Sequence, residues 1–160
     1  MFHFCYFTYS KKRGVMKKLF LAMMAFALAI FAGCTTEEPS IVCGRDWNAG
    51  SMVVADTTSE FDLADQMVVQ FKYGKNFDFT NLKVAFYEGS TAQKGAEIWS
   101  RDVKVTEKMG VYTLQGKSRH GGMMLAREMC KHRKPGSVMI EFSADGRVLA
   151  TKDIQLVKTR

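Results

Sequence analysis

The stretch Phe61–Tyr73, FDLADQMVVQFKY, sets the fold class. Its odd positions read Phe61, Leu63, Asp65, Met67, Val69, Phe71 and Tyr73, while its even positions include Asp62, Gln66, Gln70 and Lys72. Successive side chains of a strand point to opposite faces, so a period of two with one polar face predicts a half-buried strand over Gln66–Tyr73. The same alternation recurs downstream. Leu82, Val84 and Phe86 flank Lys83, and Trp99, Val103 and Val105 alternate with Ser100, Asp102 and Lys104. Val111–Leu114 forms a further short run, and Val138, Ile140 and Phe142 lead through Ala144-Asp145-Gly146-Arg147 to a last strand ending near Val157. Asp-Gly between two alternating runs signals a two-residue hairpin, whose type I′ turn needs positive φ at both central residues.

One segment departs from the period of two. Gly122–Lys134 places Leu125, Ala126, Met129 and Cys130 on one side at helical spacing, opposite Arg127, Glu128 and Lys131, and Pro135-Gly136 would stop it. The cations Lys131–Lys134 then read as complements to the negative end of a helix dipole. Six or seven strands with one crossover helix in about 115 residues predict a single all-β domain. Its architecture is an immunoglobulin-like two-sheet sandwich with one short crossover helix. The Cys…Trp…Cys spacing of true immunoglobulin domains is absent.

Upstream of this domain, Met16–Glu38 reads MKKLFLAMMAFALAIFAGCTTEE. Lys17 and Lys18 precede an apolar run of 14 residues, Leu19–Ala32. That is too short for a hydrocarbon core, which needs roughly 20 apolar residues, and suits a secretory signal peptide. The closing Phe31-Ala32-Gly33-Cys34 resembles the lipobox of bacterial lipoproteins, with Phe31 where that family usually has Leu. The resemblance implies cleavage before Cys34 and lipidation of its thiol, each buried CH₂ of an acyl chain adding about 0.8 kcal/mol of membrane affinity. It also implies a location in the bacterial cell envelope, at the outer membrane, because Thr35 stands where an inner-membrane retention signal would place aspartate. The expected organisation is therefore a gene-start extension (1–15), a signal peptide (16–33), the lipidated cysteine and linker (34–44) and the sandwich (45–160).

Processing changes the charge argument. The formal charge of +7 comes from 23 basic and 16 acidic residues, and five of the basic ones (Lys11, Lys12, Arg13, Lys17, Lys18) precede Cys34. The mature chain carries 18 against 16, or +2. Nucleic-acid binding, which wants a clustered basic surface, loses its main support.

Motifs for chemistry are incomplete. Gly116-Lys117-Ser118 resembles the end of a phosphate-binding loop, yet Val111 stands where the first glycine belongs. The same segment, with His120 in place of the closing glycine, falls short of a nucleophile elbow. His120, Cys130 and His132 lack any recognised zinc spacing. Asp56, Glu60, Asp62 and Asp65 lack the calcium-loop arrangement. No catalytic residue, metal or cofactor is assigned.

Two pairs are singled out. Cys43 and Cys130 remain after processing; a disulfide between them would close a loop worth about 4–5 kcal/mol in chain-entropy terms, whereas a free Cys130 would pack as a small hydrophobe. Tyr87 and Tyr112 are the candidate ligand-contacting aromatics, Trp99 being assigned to the core with Val103 and Val105. The expected function is a lipid-anchored binding or scaffold module whose partner is the membrane together with a polysaccharide or an envelope protein. The alternatives are a carbohydrate-binding surface module and a small metal-dependent hydrolase.

Overall fold

A computed structural model describes residues 37–118, 121–132 and 134–158. The signal segment, Cys34 and His120 lie outside the described residues. The strands are β1 (Ser40–Asn48), β2 (Val53–Thr57), β3 (Glu60–Asp62), β4 (Val68–Lys72), β5 (Asn81–Gly89), β6 (Lys94–Lys104), β7 (Val111–Leu114), β8 (Gly136–Ala144) and β9 (Arg147–Val157), with one short helix, α1 (Ala126–Met129), between β7 and β8. They form a four-stranded sheet, β2-β1-β4-β7, and a five-stranded sheet, β3-β9-β8-β5-β6. All pairings are antiparallel except β3 with β9.

This order makes the sandwich immunoglobulin-like. Taking β1, β4 and β7 as strands A, B and E, and β6, β5, β8 and β9 as C′, C, F and G, the two sheets follow the immunoglobulin arrangement. β2 is an addition outside β1, and β3 is a three-residue strand closing the β9 edge.

Alternation places the core. Val69 and Phe71 of β4, Leu82, Val84 and Phe86 of β5, and Val138, Ile140 and Phe142 of β8 are all fully buried between the sheets. Phe71 stacks on Phe142 across the gap, with ring centroids 4.8 Å apart and planes 9° from parallel. From there a run of rings continues through Phe77, Tyr73 and Phe79 in the β4–β5 connection. Asp145 and Gly146 both have positive φ (51° and 74°), as a type I′ turn between β8 and β9 requires.

Three expectations change. Ser40–Gly44, read as linker, is the first half of β1, with Ile41 and Cys43 turned into the core. The chain is pinned there: Glu37 lies so close to Gly74 that a Cβ on Gly74 would fall on the Glu37 carbonyl, and Gly74 has a φ of 78°. The helix is one turn rather than Gly122–Lys134. Gly121 and Gly122 take positive φ ahead of it, and Lys131 takes a φ of 53° just past its end. Glu128 closes its first turn by accepting a 3.2 Å hydrogen bond from the Leu125 amide. Lys131, His132 and Lys134 consequently lie beyond the helix, too late to complement a dipole that a single turn barely builds. The strand expected half-buried over Gln66–Tyr73 is present as β4, but it is buried on both faces, Val68 and Gln70 included. β3 and β4 are separated by a turn in which the Asp65 carboxylate accepts from the Asp62 amide at 2.8 Å.

Trp99 packs against the core as expected, stacked on Phe86 with centroids 4.9 Å apart. Its indole Nε1–H also donates to the Met129 carbonyl at 2.8 Å, tying α1 to β6.

The Phe71–Phe142 contact makes a direct stability test. Phe71→Ala should lower unfolding free energy by about 3–5 kcal/mol in urea denaturation, the usual cost of emptying an aromatic site in a packed core. Val148→Ala, at a side chain 57 % exposed, should change it by no more than about 0.5 kcal/mol.

Candidate functional site: the outer face of the five-stranded sheet

The alternation that sends Leu82, Val84 and Phe86 inward sends Lys83, Ala85 and Tyr87 outward from β5. On β8 it sends Met139 and Glu141 the same way. Two of these outward side chains are almost fully covered, Ala85 (1 % exposed) and Met139 (2 %). The β5–β6 loop supplies part of the cover. Ser90 and Gln93 close its turn with reciprocal backbone hydrogen bonds of 3.1 and 3.0 Å. Thr91 then reaches across β8 to β9, where its amide and hydroxyl donate to one oxygen of Asp153 at 2.7 and 2.8 Å. Asp153 is directly opposite Met139, which is opposite Tyr87, so the loop lies over that row.

Lys94, at the start of β6, continues the clamp. Its Nζ donates to Glu141 Oε2 at 2.7 Å and sits 3.8 Å from the Tyr87 ring centroid. The Tyr87 hydroxyl lies 3.4 Å from both Glu141 Oε1 and Glu97 Oε2 and can donate to either. Lys83 Nζ donates to the other side of the cluster, Glu97 Oε2, at 3.3 Å. The Glu141 side chain is only 10 % exposed. A carboxylate so nearly buried must be held by donors, since unpaired burial of its charge is costly.

Two shifts follow from these contacts. The hydrogen bond to Glu141 raises Lys94 above the ordinary lysine value of 10.5. Hydrogen bonds from Ser100 and then Lys83 hold Glu97 below the ordinary glutamate value of 4.5. A raised lysine contributes stability fully below its unfolded value and loses it as pH climbs through the folded one. A lowered glutamate contributes fully above its unfolded value and loses it as pH falls through the folded one. Both contributions, from Lys94 and from Glu97, are therefore present in the window above the ordinary glutamate value of 4.5 and below the ordinary lysine value of 10.5. The Lys83–Glu97 pair is solvent-exposed and weakly stabilising, whereas the Lys94–Glu141 pair is partly buried on its carboxylate side.

The two candidate tyrosines are not brought together. Tyr87 lies in the cluster just described, with Lys94 over its ring. Tyr112 pairs with Phe71 in β4–β7 register and faces inward, edge-on to Phe142 with centroids 6.3 Å apart. Burial raises its pKa, Arg101 acting in the opposite direction. A stacking platform of both rings does not exist on this surface.

Cys43 and Cys130 are both buried and unbonded. Burial pushes the Cys43 thiol up to about 12, with Lys152 opposing, and raises Cys130 as well, helped by Cys43 itself. Cys130 Sγ donates to Met67 Sδ at 3.7 Å within the core. His132, past α1, is half-buried beside Gly136 and away from that sulfur pair. Among the described residues no three His, Cys, Asp or Glu side chains converge as metal ligands.

The acidic stretch near β3 turned out to have a cation of its own that the sequence did not reveal. Arg45 donates to Asp65 Oδ2 at 2.8 Å, to Asp56 Oδ2 at 3.4 Å and to the Glu60 carbonyl at 2.9 Å. Its guanidinium also lies 5.7 Å from the Phe61 ring centroid. Gly116-Lys117-Ser118 sits in an irregular loop, where Lys117 bridges Met123 and the Ser118 amide donates to the Gly122 carbonyl.

No protein-family model matches the chain, and no curated protein matches it. Among solved structures it is similar to an immunoglobulin-like protein from Pseudomonas aeruginosa, at 14 % identity and a TM-score of 0.47. That match covers 77 % of this chain and 99 % of the other.

The state of the thiols can be read chemically. Iodoacetamide at pH 8 should modify neither Cys43 nor Cys130 in the native protein, because so little thiolate forms at these pKa values. Unfolding in urea without reductant should expose two reactive thiols. Zero thiols under those conditions would show a disulfide.

Proposed function

We propose that the chain is a lipid-anchored envelope protein whose sandwich domain acts as a binding or scaffold module, without catalytic turnover. The observation that carries this reading is the outer face of the β6-β5-β8-β9 sheet. Lys83, Tyr87, Lys94, Glu97 and Glu141 form one connected polar surface there. Such a surface is already ordered before a partner arrives, so less side-chain entropy is lost on binding. Cations and carboxylates alternate across it, which suits a polar protein surface of complementary charge pattern.

A sugar-binding platform is less well supported. Stacking on a sugar needs an open aromatic face, and Lys94 covers one face of Tyr87 while Tyr112 is turned toward Phe142. An envelope protein is therefore the partner class the geometry favours. The lipid on Cys34 would raise the domain's concentration at the membrane, where two or more acyl chains give stable anchoring.

Replacing Cys34 with alanine should move the protein from the detergent phase to the aqueous phase in a Triton X-114 partition. The purified wild type should show no turnover of ester, glycoside, peptide or phosphate reporters. A wild type that already partitions into water would contradict the anchor, and turnover lost on Ser118→Ala or His132→Ala would contradict the binding module.

A further inference from the structure

One end of the sandwich gathers the chain's entry point and three connections. Glu37 is seated on Gly74 in the β4–β5 connection. The β6–β7 connection meets the same segment, as the Tyr73 amide donates to the Gly110 carbonyl at 2.9 Å and the Phe77 amide to the Met109 carbonyl at 2.7 Å. The β8–β9 turn is at this end too. Ser143 pairs with Lys83, two residues from the start of β5, and the Arg147 charge acts on the Tyr73 hydroxyl. Exposed at this end are Met109 (39 %), Val111 (41 %) and Val148 (57 %), together with Lys75, Lys104, Lys108 and Arg147 and the acids Asp78, Glu107 and Asp145.

Only two residues, Thr35 and Thr36, separate Glu37 from Cys34, a span of three chain steps. At 3.3–3.6 Å per residue, fully extended chain spans about 10 Å there. β5 runs away from this end for nine residues, about 27 Å over its steps, before the β5–β6 loop. The tether therefore lets the entry end reach a bilayer carrying the Cys34 lipid and keeps the opposite end clear of it.

We infer that the loops Tyr73–Thr80, Val105–Gly110 and Ala144–Arg147 rest on the headgroup layer of a zwitterionic, aminophospholipid-rich bilayer, with the β5–β6 loop facing away. The inference rests on the proposed anchor. Four basic side chains are offset by three acidic ones and by Glu37 and Glu38 in the tether, so this end has no polybasic attraction for anionic lipid. The mixed charges match a headgroup that presents both phosphate and ammonium. Met109 and Val148 add apolar surface at the rim, and the sheet face holding Glu141 stays accessible to a partner alongside the membrane.

The test uses the mature lipidated protein in vesicles of phosphatidylethanolamine and phosphatidylcholine containing a headgroup nitroxide lipid. Met109→Cys, Arg147→Cys and Ala92→Cys each receive a small fluorophore, and Ala92 lies in the exposed β5–β6 loop. Quenching at 109 and 147 should exceed that at 92 at least three-fold. Equal quenching at all three, or stronger quenching at 92, overturns the docked orientation while the anchor stands. Wild-type protein that stays in the aqueous phase of a detergent partition overturns the anchor itself, and the orientation with it.

Discussion

The stacked pair Phe71–Phe142 is the contact on which the other arrangements depend. It joins β4 to β8, the strands that correspond to B and F of an immunoglobulin domain, and in antibody domains a disulfide spans the sheets between those two strands. Here two aromatic rings bring the sheets together by dispersion and burial, with no covalent bond. Tyr112 of β7 edges onto the same Phe142, and Phe77 of the β4–β5 connection stacks parallel to Phe71 at 6.1 Å, so a strand and a connection close around one pair. The two cysteines of the domain lie elsewhere in the core, Cys43 on β1 and Cys130 just after α1.

Once β4 and β8 are fixed, the outer face follows from register. β8 sends Ile140 and Phe142 inward and therefore must send Met139 and Glu141 outward. Pairing with β5 brings Tyr87 opposite Met139, and the β5–β6 loop brings Lys94 back over both. The near-complete burial of Met139 on the side facing away from the core is thus explained by the loop that Thr91 fastens to Asp153. The same fixing of strands gathers Glu37 and three connections at one end.

Much of the sandwich was legible in the sequence because its central strands alternate large apolar residues with polar or smaller ones, although β4 and β8 are buried on both faces. Val111–Leu114, the Asp145-Gly146 turn and the end of β9 at Val157 are found where the pattern placed them. β1 was not legible. Its inward residues Ile41 and Cys43 are followed by Gly44, Arg45 and Asp46, a composition that resembles linker, and its pairing with β4 is a tertiary fact. The helix was overread because a helical spacing of apolar residues does not register the positive φ of Gly121, Gly122 and Lys131 that confines it. At the candidate site Tyr87 could be marked as an aromatic near a surface, but Lys94 and Glu141 could not be joined to it. They are 47 residues apart, and only strand register brings them within 2.7 Å. Arg45 escaped notice for the same reason, its partner Asp65 being 20 residues away.

The central claim is that the outer face of the five-stranded sheet is where this protein meets its partner. Photo-crosslinking in intact cells tests it most directly. A photoreactive residue placed at Asp102 or Thr151, both exposed on that face and outside the Lys94–Glu141 cluster, should give a discrete higher-mass adduct. The same residue at Ser51, in the β1–β2 turn of the other sheet, should give none. Adducts at Ser51 with none at Asp102 or Thr151 would contradict the account.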